Sequence, residues 1–237
     1  MELTFAHQRV LVLGGSSEIG LEVAKSLLAS GLSPILTHAS DSGRQRIAEK
    51  FPELADVMRV DLNDATTLDN PQLLGTDALI DLAQADFESL LASVDDTTFD
   101  AYCTAHIQNR AKLLKKITRQ MLARRSGRLI FVSSVAAGRP APGQGLYAAT
   151  KNAAESLYHS YGVELAAHGI TSVSLRLGLV ASGRGKTFLH TSARTELRAN
   201  TLDVQQAAGT ILFLLSREQA FHATTLTMDA GLSAIKY

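Results

Sequence analysis

Short apolar runs and helical stretches take turns along almost the whole chain, and this alternation constrains the fold more than any other feature. Val10-Leu-Val-Leu13 is an apolar run ended by two glycines, and Ile19 to Leu28 has helical spacing with Gly31 where a C-cap belongs. Pro34-Ile-Leu-Thr37 reads as a second strand with a polar loop after it. Val57-Met-Arg-Val60 reads as a third and Ala78-Leu-Ile-Asp-Leu82 as a fourth. A long helix is expected from about Asp96 to Leu122, with Tyr102, Cys103, Ile107, Leu113, Leu114, Ile117 and Met121 on its apolar stripe. Leu129 to Val132 is the fifth strand, and the helix carrying Tyr147 ends near His168-Gly169. Thr171 to Leu177 is the sixth strand, Asp203 to Leu215 a helix, and Thr225 to Met228 a last short strand. The order predicts an α/β protein, a doubly wound parallel sheet with helices on both faces. No repeat, low-complexity tract or Pro/Gly linker divides residues 1–237, so a single domain is expected. The stretch from about 181 to 200 is rich in Gly, Ser, Thr and Arg, and it is too long for an ordinary connection. A substrate lid is the expectation there.

Composition narrows the function classes. Hydrophobic residues make up 46% and charged residues 19%, enough for a full core. Lys+Arg and Asp+Glu are both 23, so there is no bulk attraction to nucleic acid or membranes. Cys103 is the only cysteine, which excludes an intrachain disulfide and a Cys-based zinc site; no metal is expected. No long apolar run precedes the first strand, and no stretch reaches the roughly 18 apolar residues of a membrane span. A cytoplasmic location is expected.

Two segments carry chemistry. Gly14-Gly15-Ser-Ser-Glu-Ile-Gly20 lies between the first strand and the first helix, where backbone N–H groups and the helix N-terminus can approach a pyrophosphate. Dinucleotide sites that take NAD place an acid at the end of the second strand to read the ribose. Here that strand ends Thr37-His38-Ala39-Ser40, with no acid before Asp41. The gap leaves room for a 2′-phosphate, with Thr37, Ser40, His38, Arg44 and Arg46 as candidate ligands, and NADP is expected over NAD. Further on, Arg128 to Ser134 reads as a buried strand ending in two serines, and Tyr147-Ala-Ala-Thr-Lys151 follows within the next helix. Residues four apart share a helix face, so Tyr147 and Lys151 point the same way. A hydroxyl, a phenol and an ammonium so placed form a proton-transfer site for a carbonyl.

With these residues in place the chain resembles the short-chain dehydrogenase/reductase family from Val10 to Leu232, and within it the bacterial 3-oxoacyl-acyl-carrier-protein reductases. The resemblance implies a Rossmann-type fold in which Gly14, Ser16, Ser17, Ile19 and Gly20 form the cofactor turn. It adds His38, Ala39 and Ser40 at the adenosine ribose, Asp61 and Leu62 at the adenine, and Ala83 and Val180 along the cofactor. Ser134, Tyr147 and Lys151 match the catalytic triad in identity and spacing, with Tyr147 and Lys151 also touching the cofactor. Gly178 matches the glycine after the sixth strand, and Asp229-Ala-Gly231 the C-terminal turn. Four positions depart from the pattern. Glu18 replaces the middle glycine of the turn, and Asp81-Leu82-Ala83-Gln84 replaces Asn-Asn-Ala-Gly. His106 stands for the asparagine that is the fourth catalytic residue, and Leu177 replaces a proline.

The resemblance implies an NADPH-dependent ketoreductase that converts a 3-oxoacyl thioester to the 3-hydroxyacyl form, with Tyr147 as proton donor. His106 then holds either a backbone carbonyl or a water of the proton relay. Acyl carrier protein is the expected partner through Arg125, with Arg124 and Arg128 completing a basic cluster and His168 replacing a second arginine. A homo-oligomer, dimer or tetramer, is expected through the 107–121 helix and the Tyr147 helix. Two other readings stay open: a dehydrogenase or reductase of a free small alcohol or ketone (sugar, polyketide or steroid-like), and a non-catalytic cofactor-binding regulatory or scaffold protein.

Overall fold

A computed structural model describes residues 3–191, 200–217 and 219–234. Strands β1 (Arg9–Leu13), β2 (Ser33–His38), β3 (Val57–Arg59), β4 (Ala78–Asp81), β5 (Gly127–Ser134), β6 (Ile170–Leu177) and β9 (Thr224–Met228) form one sheet in the order β3-β2-β1-β4-β5-β6-β9. Every pairing is parallel. The order reverses between β1 and β4, so the cleft at a doubly wound sheet's switch point opens beyond the C-terminal ends of those strands. Two further short strands, β7 (Leu179–Val180) and β8 (Thr201–Leu202), pair with each other at the base of the expected lid.

Alternation along the strands divides the core. Val10, Val12, Leu36, Ile130 and Val132 face α1 (Glu18–Ala29) and α7 (Val204–Ser216), where Val23, Leu27, Ile211 and Leu215 meet them. Leu11, Leu13, Ile35, Leu129 and Phe131 face the other way, onto Leu113, Leu114, Ile117 and Met121 of α4 (Arg110–Arg124) and Tyr158 of α5 (Gly145–Leu165). Apolar residues on both faces of a strand are the pattern of a parallel sheet buried between two helical layers.

Three segments differ from the sequence expectation. The polar stretch after β2 is a helix, α2 (Asp41–Lys50), which Ser40 caps by accepting from the Gly43 N–H at 3.2 Å. It buries only Gly43 and Ile47, too few apolar positions for a period to show. The long helix is interrupted: α3 (Asp96–Cys103) passes into a π-helical segment, Thr104–Asn109, before α4 begins. Within the expected lid, α6 (Gly183–Thr191) is helical, and residues 192–199 lie outside the described residues. Among the described residues, no helix is long and apolar enough to cross a membrane.

Candidate active site

The glycine turn is tied to β2. Thr37 Oγ1 accepts from the Gly14 N–H at 2.9 Å, and the Ser16 N–H donates to the Thr37 carbonyl at 3.2 Å. Thr37 is therefore a strut of the turn rather than a free ligand. Ser17 caps α1, accepting from the Gly20 N–H at 3.0 Å and donating to the Gly14 carbonyl at 2.9 Å. Gly14 has φ +78°, and a Cβ on Gly20 would stand 2.7 Å from the Gly14 oxygen. Only glycines let the turn pack this tightly on the helix start.

Glu18 does not face the place of an anion. Its carboxylate accepts from Lys186 Nζ at 2.6 Å and from the Gly183 N–H at 3.3 Å, both on α6. The hydrogen bond from Lys186 holds it below its ordinary carboxylate value. A cleft runs along the strand ends. Gly14, Ser16 and Ser17 form one wall, Ala39 and Arg46 the β2 side, Asp61 and Leu62 the β3 side, and Ala83, Gln84 and His106 the far end. A cradle of backbone N–H groups at a helix start, open to a groove along the switch point, fits a dinucleotide.

Seven of the expected cofactor residues lie off that wall, Tyr147 and Lys151 among them. Gly20 acts by its lack of a side chain. Ile19 is half-buried in the first turn of α1, and Val180 is buried in β7. Ser40 is engaged in capping α2. His38 is buried with Nδ1 3.1 Å from the Ser40 carbonyl, and burial pulls its pKa down. Of the candidate 2′-phosphate ligands Thr37, His38, Ser40, Arg44 and Arg46, only Arg46 reaches the wall. The signal for it is periodic: it follows Gly43 by three residues on α2, the glycine that packs on Ser16.

At the other end, Ser134 closes β5, with Oγ accepting from the Ala136 N–H at 3.2 Å. Tyr147 is half-buried in the first turn of α5, and Lys151 is buried one turn on. Lys151 Nζ donates to the Val132 carbonyl at 2.8 Å, two residues before Ser134. The same ammonium lies 6.0 Å from the Tyr147 ring centre and 4.8 Å from that of Phe131. Burial pulls Lys151 down to about 7; the charge of Arg110 adds to this, while Asp81 and Glu155 oppose it.

His106 lies in the π-helical segment, a widened turn often found at functional sites. It is buried, and its Nε2 accepts from the Ala85 N–H at 3.4 Å, a backbone N–H where a carbonyl was one expectation. The ring proton therefore sits on Nδ1, a buried atom with no partner. Burial, with Arg110 and Lys151 behind it, lowers His106 to about 3, so it stays neutral across the physiological range. Beside it Gln84 Nε2 donates to the Tyr102 hydroxyl at 2.7 Å, which donates on to the Ala85 carbonyl at 2.7 Å. Gln84 Oε1 is also buried without a partner. A donor and an acceptor left open on one cleft wall suit a polar ligand or a bound water.

The expected basic cluster before β5 does not form. Arg128 is fully buried and donates to the Phe221 and Leu214 carbonyls, each at 2.9 Å. It shares its strand face with Ile130 and Val132, so strict alternation points it inward. Arg124 donates to the Thr76 carbonyl and lies 3.8 Å from Asp77. Arg125 is exposed like Arg124 but makes no ion pair with Asp77; it sits in a left-handed C-cap with φ 52°, donating to the Ala167 carbonyl at 3.0 Å beside the exposed His168.

The family model for short chain dehydrogenases matches residues 8–193. The 3-oxoacyl-[acyl-carrier-protein] reductase of Escherichia coli (strain K12) is 26% identical over 246 residues, covering 97% of this chain and 99% of that protein. The enzyme of that name from Synechocystis is 27% identical over 241 residues, covering 95% and 96%. A solved short chain dehydrogenase/reductase family protein superposes with a TM-score of 0.86 at 27% identity, covering 99% of this chain and all 100% of that one. A solved actinorhodin polyketide ketoreductase with NADPH shares the fold, with a TM-score of 0.84 at 20% identity and coverage of 99% and 100%. The matched span takes in the glycine turn, the strand-end serine and the tyrosine–lysine pair, and the chain belongs to the short-chain dehydrogenase/reductase family of oxidoreductases.

Proposed function

We propose that this oxidoreductase is an NADPH-dependent ketoreductase that converts a 3-oxoacyl thioester, carried on acyl carrier protein, to its 3-hydroxyacyl form. The observation that carries the reading is the buried ammonium of Lys151, held at 2.8 Å by the Val132 carbonyl and facing the Tyr147 ring at the end of β5. Gly14, Ser16 and Ser17 would hold the pyrophosphate, Asp61 and Leu62 the adenine, and Arg46 the 2′-phosphate. When bound, NADPH would supply the hydride.

The chain's own residues do the rest. Tyr147 gives its phenolic proton to the carbonyl oxygen as charge develops there, and Ser134 donates a hydrogen bond to the same oxygen. A free phenol titrates near 10, and bringing it close to neutral takes about 4 kcal/mol of preference for the phenolate. A neighbouring ammonium supplies much of that preference. Lys151 does so only while protonated, and in the ligand-free protein it holds that proton below a pH of about 7. The names of the relatives support the thioester, and the absence of an acid at the end of β2, with Arg46 on the cleft wall, supports NADPH. The partners that Glu18 and Asp81 have found weigh against the non-catalytic reading. We place the protein in the cytoplasm as a homo-oligomer paired through α4 and α5.

A second reading, reduction of a free small ketone, is favoured by one observation: the carrier-docking patch loses the buried Arg128, and Arg124 beside Arg125 is tied to Thr76 and Asp77. NADPH oxidation with carrier-bound 3-oxoacyl substrate, a short free thioester and unrelated ketones decides between the two. The first reading expects the carrier-bound substrate to be turned over best, with Arg125→Glu lowering that rate and sparing the free analogue. Tyr147→Phe should abolish turnover on every substrate while NADPH binds more tightly than NADH. Wild-type turnover by that variant would refute the mechanism.

A further inference from the structure

Asp81 and Arg110 are both buried to 0% exposure and joined, Nε to Oδ2, at 2.8 Å. The remaining bonds of the pair all go to parts of the site. Arg110 Nη1 donates to the His106 carbonyl at 2.6 Å, and Nη2 donates to the Ala83 carbonyl. Asp81 Oδ1 accepts from the Ala83 N–H at 3.0 Å, and Oδ2 accepts from the Tyr158 hydroxyl at 2.9 Å. One guanidinium therefore ties together the segment after β4 that walls the cleft, the π-helical turn bearing His106 and, through Asp81, the middle of α5. The ring of Phe131 is their common floor. Arg110 Cζ stands 5.3 Å from its centre, Tyr158 stacks on it at 4.9 Å, and Lys151 Nζ lies 4.8 Å away.

Filling this space does not require charge. Two ions out of water carry a large desolvation cost, and well-packed apolar residues commonly replace such a pair without loss of stability. An apolar pair, however, could not bond the carbonyls of Ala83 and His106, and it would place no charge near Lys151. We propose that Arg110 is a positioning residue of this site, locking residues 82–85 to the His106 turn and setting, together with Asp81, the electrostatic balance around the Lys151 ammonium. The inference rests on the reading of Lys151 as part of the catalytic centre.

The charged and titratable groups facing Lys151 are Arg110 from α4, Asp81 from β4, Glu155 from its own helix, Tyr147 one turn back and His106 across the site. Glu155 is itself paired with Arg176 at 2.6 Å. With Asp81 neutralised, only Glu155 still opposes the Arg110 cation at Lys151, and the ammonium gives up its proton at lower pH. With both charges removed, the balance returns.

The test uses the full chain as Asp81→Asn, as the double variant Asp81→Asn/Arg110→Met, and as Arg110→Lys. Lysine Cε resonances are titrated in the ligand-free protein, with Lys151 identified by its loss in Lys151→Arg. NADPH affinity is read from the cofactor's own fluorescence. The expected result is a Lys151 midpoint about one pH unit lower in Asp81→Asn, returning toward wild type in the double variant. NADPH should bind about tenfold more weakly to the double variant and to Arg110→Lys, which keeps a charge but loses the fork. An unchanged Lys151 midpoint in Asp81→Asn, or wild-type NADPH affinity in the double variant, overturns the proposal; if Asp81→Asn does not fold, Arg110→Lys and the double variant carry the comparison. Neither readout uses turnover, so a failed catalytic reading, seen as an active Tyr147→Phe, is distinguishable from a failure here.

Discussion

Two departures from the family's pattern place a carboxylate near the glycine turn, Asp81 at the end of β4 and Glu18 in the first turn of α1, and the fold handles them in opposite ways. Asp81 is shielded from water and held by Arg110, Tyr158 and a backbone N–H, with no exposure on either side chain of the ion pair. Glu18 and Lys186 keep 44% and 52% of their side-chain surfaces exposed, although their contact is the shorter, 2.6 Å against 2.8 Å. Distance therefore does not rank the two. Water and salt screen the outer pair, so it contributes little, whereas the inner pair has no substitute for either partner once one is removed. The inner pair fixes the site's geometry, and the outer one is a light tie between α6 and the start of α1.

The contrast breaks first under the harshest substitution. Arg110→Met strands the Asp81 carboxylate in the core and should destabilise the fold by about 3–5 kcal/mol, on the order of 10 °C in Tm. Asp81→Asn/Arg110→Met should recover most of that loss. Equal melting temperatures for the single and double variants would show that the burden is packing, not charge.

A second, smaller effect concerns Lys151. Its folded pKa of about 7 lies below the ordinary lysine value, so protonation favours the unfolded chain. The penalty is full below pH 7 and is relieved as pH rises from there toward the unfolded value. Lys151→Met should therefore raise Tm by about 5 °C at pH 6, gain progressively less at higher pH, and lose turnover throughout. A gain that does not change with pH would mean that burial of the ammonium is not its source.

The smallest effect is expected in the outer pair. Glu18→Gln should change stability by no more than about 1 kcal/mol, with the difference vanishing in 1 M salt. The carboxylate's pKa is lowered in the folded state, so whatever the pair contributes is present above the ordinary carboxylate value and fades as pH falls through the lowered one. A salt-insensitive loss of several degrees would place Glu18 with Asp81 rather than in contrast to it.

Much of this is legible in the sequence, for local reasons. Val10 to Leu13 followed by Gly14 and Gly15 can hardly be other than a buried strand entering a tight turn. Tyr147 and Lys151 share a face because 3.6 residues make a helical turn. What escaped reading did so where the local signal was thin or shared. The π-helical widening at 104–109 leaves the apolar stripe intact on either side, so nothing marks the added slack. Arg124, Arg125 and Arg128 look alike in the sequence, yet Arg128 is enclosed by α7 and the chain around Phe221, and its two neighbours are not.

The sequence by itself determined the order of strands and helices, the position of the glycine turn, and the spacing that brings a serine, a tyrosine and a lysine to one strand end, because each depends on periods of a few residues. The tertiary structure decided which charges are buried and with whom. Asp81 meets Arg110 across 29 positions and Glu18 meets Lys186 across 168. Separations of that size carry no periodicity, and the partner is set only when strands and helices close around a common core. The protonation of Lys151 and His106 belongs to the same class, because it follows from the water that packing excludes and from the charge that Arg110 brings beside them.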